Sequence, residues 1–325
     1  MLGPRTPADV QQNAAGALAH LACNAKIAAT IAASDAIGPL VRLLANGSEA
    51  KVQKGAAGVL RRLAEDADIA VMIAEAGAIP PLVRLLGPES GADVQAKAAG
   101  ALWFLAANAA NVATIAGSGA IPALVQLLGP HCAPVTLHKA GGALVELARH
   151  TKIAVAIAAA GAIPRLVCML GPHSLDEVQH AAAGALTSLA CDAGIAATVV
   201  DADAIPALVL LVFEPGSDPG SRQDKAQSIL ERLAENVDAD AGPIEPQQLQ
   251  KMALSLHPNR RAASAAFFAL GALAARNVES RPVIAAVTAS ADLEREWLRL
   301  YCPAGVSTRR LGLAWVSVDC ASQPF

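Results

Sequence analysis

Apolar residues recur along this chain with a short period nested inside a long one. The short period is helical. Val52, Ala56, Val59, Leu60 and Leu63 fall three or four residues apart, so they share one broad face and predict a long amphipathic helix over Val52 to Glu65. A short helix is expected over Ile69 to Glu75, ahead of Gly77, and another over Ile79 to Leu86, ended by Gly87 and Pro88. The long period is 42 residues: Gly16, Gly58, Gly100, Gly142 and Gly184 keep that step inside A-[AG]-G-[AV]-L, and Ile37, Ile79, Ile121, Ile163 and Ile205 keep it inside A-I-[GP]-x-L-V. Two columns holding one period over five copies identify an internal repeat of three helices, hence an all-α solenoid.

The breakers fit that parse. Pro80, Pro122, Pro164 and Pro206 stand in the first turn of the helix after the joint, where a missing N–H costs no intrahelical bond. The joint column holds Gly77, Gly119 and Gly161, with Asp35 and Asp203 in the first and fifth copies, which predicts a left-handed φ there. The mid-helix glycines need a different reason. Each costs about 0.5–1 kcal/mol relative to Ala, and close approach of neighbouring helices is the expected compensation.

The repeat divides the chain. Residues 1–7 form a lead, 8–213 hold five regular copies of which the first is incomplete, and 214–221 form a Gly/Pro-rich insert. Residues 222–302 carry degenerate copies and a cap, with long helices expected over Asp224 to Glu235 and Arg261 to Arg276, and 303–325 are an irregular tail. At the start, Thr6-Pro7-Ala8-Asp9 reads as an N-cap followed by Pro at the first helical position. The chain thus opens on a long helix whose Ala14, Leu18 and Leu21 have no earlier repeat to cover them, so a fragment of a longer protein, or an end that meets a partner, is expected.

These residues bring a resemblance. A-A-G-x-L-x-x-L-A followed by A-G-A-I-P-x-L-V-x-L-L resembles the armadillo repeat family, closely over residues 8–213 and loosely from 222 to about 290. The resemblance implies a right-handed α-α superhelix whose third helices, the family's Asn-bearing helices that map here onto the long ones, line a concave groove about 60 Å long for seven helices spaced about 8–10 Å apart. It implies a protein-interaction scaffold or adaptor that holds a partner peptide or helix in that groove. In peptide-binding members an Asn on the long helix holds the ligand backbone, and a Trp one turn earlier packs its side chains. Here the Asn column holds His20, Arg62, Phe104, Glu146, Ser188 and Arg232, and the Trp column holds the five glycines. Both ladders are replaced, which disfavours nuclear-transport cargo binding. Because Trp and Arg dominate binding hot spots, Arg61, Arg62, Trp103 and Phe104 are the leading candidate site, with Glu65, Glu146 and Arg149 beside them. The substrate-recruiting part of a larger ubiquitin ligase, with a U-box ahead of the repeats, is the alternative.

Composition and charge narrow this picture. Hydrophobic types reach 54% and charged types only 16%, yet no run attains the length of about 18 apolar residues that a spanning helix needs. The nearest, Ile195 to Phe213, is cut by Asp201, Asp203 and Pro206, so no membrane insertion is expected. Net charge is -3, without a run of five basic residues, which argues against a nucleic-acid partner. Cys23, Cys132, Cys168, Cys191, Cys302 and Cys320 form no CxxC pair and read as reduced thiols, in keeping with an intracellular location in cytoplasm or nucleus. Five of the seven histidines lie between 131 and 180, but His138 and His180, like His131 and His173, are equivalent positions one repeat apart, too far separated to share a metal. No cofactor is expected, and no P-loop, G-x-S-x-G or H-E-x-x-H motif gives catalysis a seat.

Overall fold

The structure, a computed structural model, describes residues 2–202 other than 4, 5, 46, 172 and 173, together with Ala204 and Ile229. All of these fall in one compact unit. The described chain starts with α1 (Ala8–Leu21), α2 (Ala25–Ala33) and α3 (Ile37–Leu43). There follow α4 (Ala50–Leu63), α5 (Ala67–Glu75), α6 (Ile79–Arg84), α7 (Ala92–Ala106), α8 (Ala109–Gly117) and α9 (Ala120–Gln126). Then come α10 (Pro134–Ala148), α11 (Thr151–Ala159), α12 (Ala162–Met169), α13 (Asp176–Leu189) and α14 (Ala193–Asp201). The long helices α1, α4, α7, α10 and α13 begin 42 residues apart, as do the second helices α2, α5, α8, α11 and α14. No strand occurs among the described residues.

Each boundary has a local cause. Asn24, Asp66 and Asn108 precede α2, α5 and α8, and their side-chain oxygens accept N–H bonds from the first turn at 3.0–3.4 Å. Asp192 does the same for α14, accepting from Ile195 N at 3.2 Å. This satisfies donors that a helix start otherwise leaves orphaned. His150 occupies the equivalent place before α11 and makes no such bond. At the joints Gly77, Gly119 and Gly161 adopt φ of 77°, 79° and 76°, and Asp35 adopts 53°, as their column predicted.

Several boundaries differ from expectation: α4 and α5 each start two residues early, at Ala50 and Ala67, and α6 ends at Arg84 rather than Leu86. The N-cap of α1 is Pro7, whose carbonyl accepts from Gln11 N at 3.0 Å, and not Thr6, so α1 starts without a side-chain cap. The long helix α4 ends at Leu63 rather than reaching Glu65, because its last amides close onto Leu60 and Arg62 carbonyls in a tightened final turn.

The repeats stack because no single one can bury its own apolar face. Successive long helices pack on one another, α1 on α4, α4 on α7, α7 on α10 and α10 on α13, so they form one continuous row. Leu63, Leu105, Leu147 and Leu189, one per long helix, are fully buried, whereas the equivalent Leu21 in α1 is 48% exposed. Polar bonds tie loops to the row: Gln53 donates to Ala45 O at 3.0 Å, Gln95 to Gly87 O at 2.9 Å and Gln179 to Gly171 O at 2.9 Å. Arg84 donates to Leu44 O at 2.8 Å, meeting a free carbonyl at the end of α3 with a cation. No single helix among the described residues is long and apolar enough to cross a membrane. The expected insert at 214–221, the degenerate repeats of 222–302 and the tail at 303–325 lie outside the described residues, as do Asp203 and Pro206.

Candidate protein-binding row

The long helices turn their leucines inward, which leaves a stripe facing away from the core. On α4, burial of Val52, Ala56, Val59, Leu60 and Leu63 leaves Lys54, Gly58, Arg61 and Arg62 along that stripe. The repeated glycines lie in its middle. At Gly100 and Gly142 they do not bring helix backbones together, as was expected, but make seats for side chains from the neighbouring helices. A Cβ on Gly142 would stand 2.6 Å from Trp103 Cδ2, because the indole of α7 lies flat over that glycine of α10. A Cβ on Gly100 would meet Arg61 Cδ at 3.0 Å and Lys139 Cδ at 3.6 Å, so stems from α4 and α10 converge over α7. Gly16 has nothing within 4 Å. Close helix approach occurs in two other columns, where Gly55, three residues ahead of Gly58, faces Ala15 Cβ and Gly141, next to Gly142, faces Ala181 Cβ, each 3.0 Å from an added Cβ.

Around these seats the candidate residues gather. Trp103 and Phe104 stack with centroids 5.8 Å apart, and both remain half-buried. The Arg61 guanidinium lies 5.7 Å from the Phe104 ring, and Lys139 Nζ lies 5.0 Å from the Trp103 ring, both within cation–π range. His138 meets Trp103 edge-on at 5.4 Å while its Nδ1 donates to Glu177 O at 2.9 Å. Arg61 and Arg62 share one carboxylate, Glu65, at 3.4 and 3.1 Å. Lys54 pairs with Asp93 at 2.5 Å, a bond that holds the Asp93 carboxyl below its usual range.

Arg61, Arg62, Glu65, Trp103 and Phe104 are therefore brought together across α4 and α7. The other candidates do not join that group, although Arg149 and Ser188 line one shallow cavity between α10 and α13. Glu146 pairs with Arg149 at 3.1 Å along α10, Ser188 spends its hydroxyl on Gly184 O at 3.2 Å, and His20 is exposed on the last turn of α1. Arg232 lies outside the described residues.

Sequence reasoning missed Lys97 and Lys139. Both sit three residues ahead of a column glycine, one repeat apart, and that coincidence was the available signal. Burial pushes the Lys97 amine down, and Arg61, Lys54 and Arg62 push it further by like charge. Lys139 is lowered by burial and then by Arg61, and Arg61 by burial and then by Arg62. Among the described residues no three His, Cys, Asp or Glu side chains group as metal ligands.

An Armadillo/beta-catenin-like repeat model matches residues 66–107 and 150–191, each a short helix pair followed by a long helix of the row. An engineered protein of known structure shares 30% identity at a TM-score of 0.66, over 71% of this chain and 94% of that chain. The chain belongs to the armadillo/β-catenin-like repeat family. A designed armadillo repeat protein superposes with a TM-score of 0.65 at 27% identity, over 71% of this chain and 96% of that one. Another designed armadillo protein, solved in complex with the peptide (KR)4, gives a TM-score of 0.61 at 27% identity over 68% of this chain and 92% of that one. A search of curated proteins returns no match. Within this armadillo row the tryptophan stands three residues after the glycine column and lies across the next helix, so its indole is part wall and part exposed shelf.

Proposed function

We propose that this armadillo chain is a protein-interaction scaffold, acting inside the cell without chemistry of its own, and that it holds an extended peptide or a helix of a partner along its row of long helices. One observation carries the reading. The half-buried Trp103–Phe104 pair, pinned by Arg61 and Lys139, sits in mid-row, and rigid aromatics flanked by arginine have the composition of a binding hot spot. The peptide complex of the designed armadillo relative supports use of the same fold for peptide recognition. A basic cargo peptide suits this row poorly, since Arg61, Lys97 and Lys139 would repel it.

Photo-crosslinking residues placed singly at Phe104 and Val135 on the row, and at Met72 and Val155 on the second helices, test the reading in cells. Adducts to the same partner from Phe104 and Val135 are expected. Adducts arising only from Met72 and Val155 would overturn it.

A further inference from the structure

The row's charges are not balanced. The stems of Arg61 from α4 and Lys139 from α10 converge over one buried glycine, Gly100, and Lys97 of α7, whose stem reaches Gly58, adds a third cation close enough to repel both. Neither Lys97 nor Lys139 forms an ion pair among the described residues. Of the carboxylates nearby, Glu65 serves two arginines and Asp93 serves Lys54, while Glu177 acts on Lys139 through space without forming an ion pair with it. A chain with net charge -3 thus keeps a local surplus of cations where, among the described residues, its long helices also expose two adjacent aromatic rings.

We infer that this Gly100-centred cluster takes an extended acidic segment of a partner protein, whose Asp or Glu carboxylates bridge Lys97, Lys139 and Arg61 while an apolar side chain lies on the Trp103–Phe104 shelf. The inference rests on the scaffold reading and names its partner chemistry. The geometry favours it in three ways. The glycine seats let the cationic stems lie over the helices, so three charges from three repeats come near one another while neither Lys97 nor Lys139 is held in an ion pair among the described residues. Burial first, and then the like charge of Arg61, disfavours the protonated forms of Lys97 and Lys139, and an incoming carboxylate offsets the repulsive part. The aromatic shelf adjoins the charges through the two cation–π contacts, so an acidic and apolar segment is matched along its length. Among the described residues a nucleic-acid strand would find a short cationic stretch here, where binding a phosphate backbone calls for a longer positive track.

Fluorescence anisotropy on the full chain tests this with labelled peptides alternating Glu and Ser around a central Phe, their Gln-for-Glu and Lys-for-Glu counterparts, and a single-stranded oligonucleotide. The Glu peptide is expected to bind about tenfold or more tighter than the Gln peptide, and this margin should shrink as salt is raised. Lys97→Gln with Lys139→Gln should remove the margin, and Lys97→Glu with Lys139→Glu should move the preference to the Lys peptide, with circular dichroism melts confirming folded variants. Equal binding of Glu and Gln peptides, tighter binding of the oligonucleotide, absent binding of the Glu peptide up to millimolar protein, or a margin unchanged in the variants would each overturn the inference. Failure of the scaffold reading is separable: it shows as partner adducts from Met72 and Val155 alone, whereas row adducts to a partner without acidic segments would sink only the acidic proposal.

Discussion

Glycine in the middle of a helix has opposite consequences at two equivalent positions of this chain. Gly142 lies under the Trp103 indole, so a methyl there must displace a ring wedged between two helices. Gly142→Ala is expected to lose about 1–3 kcal/mol, the usual cost of overpacking. Gly16 has no neighbour within 4 Å, and Gly16→Ala is expected to gain about 0.5–1 kcal/mol from reduced unfolded-state entropy. Urea melts of the two variants check both signs, and equal shifts would show that the glycine column has no packing role. The clustered lysines set a pH dependence at the same scale. Lys97 and Lys139 have folded values below their ordinary 10.5, so the unfolded chain binds these protons better. Stability therefore sits on its lower plateau beneath the folded values and rises as pH climbs from them toward 10.5. The Lys97→Gln, Lys139→Gln double variant should show a smaller rise over that alkaline window than the parent, measured by urea midpoints at stepped pH.

Among the elements, the second helices form a natural series in which one member lacks its cap. Asn24, Asp66, Asn108 and Asp192 cap α2, α5, α8 and α14, while His150 leaves α11 without a side-chain bond. His150→Asp is expected to add about 0.5–2 kcal/mol and Asp66→Ala to remove a similar amount, the range measured for such caps. Thermal melts decide it, and a destabilised His150→Asp would place the imidazole in some other stabilising contact. The capping column went unread in the sequence, although Asn24, Asp66, Asn108 and Asp192 share it, and the signal was available because the capping bond is local and needs only an Asx oxygen next to a helix start. The start of α1 was less legible. Thr6 has a capping hydroxyl and precedes Pro7, but the first intrahelical bond is accepted by Pro7 itself, a choice made by backbone geometry that side-chain type does not encode.

At the scale of the whole described stack, stability is set by neighbour contacts between repeats. Leu105 and Leu147 are covered by a helix on each side, whereas Leu21, Val10 and Ile27 keep 48%, 41% and 36% of their surface exposed in the first helices. Amide hydrogen exchange is expected to be slowest in α7 and α10 and fastest in α1 and α2, with a gradient between them. Uniform protection from α1 to α10 would mean that the stack opens as one cooperative unit. The same neighbour contacts carry the acidic-segment proposal, because its three cations belong to three different repeats and meet only when those repeats are stacked in register.

The three-helix repeat, the joints with positive φ and the membership of the leucine core followed from the sequence alone. A period shared by independent columns reports local geometry: 3.6-residue amphipathicity, proline in a first turn, and glycine or aspartate where φ is positive. Arg61, Arg62, Trp103 and Phe104 were also legible, as unusual residues on the long-helix stripe. Lys97 and Lys139 were not, and neither was the true use of the glycine column. A lysine's place in a repeat says which stripe it occupies, but not which residue of the next helix its stem crosses. That depends on the offset between adjacent long helices, which lays residue 61 over 100 and 103 over 142. Only the tertiary stacking sets that offset, because it is decided by how whole leucine faces interlock, and with it whether scattered cations stay apart or share one site.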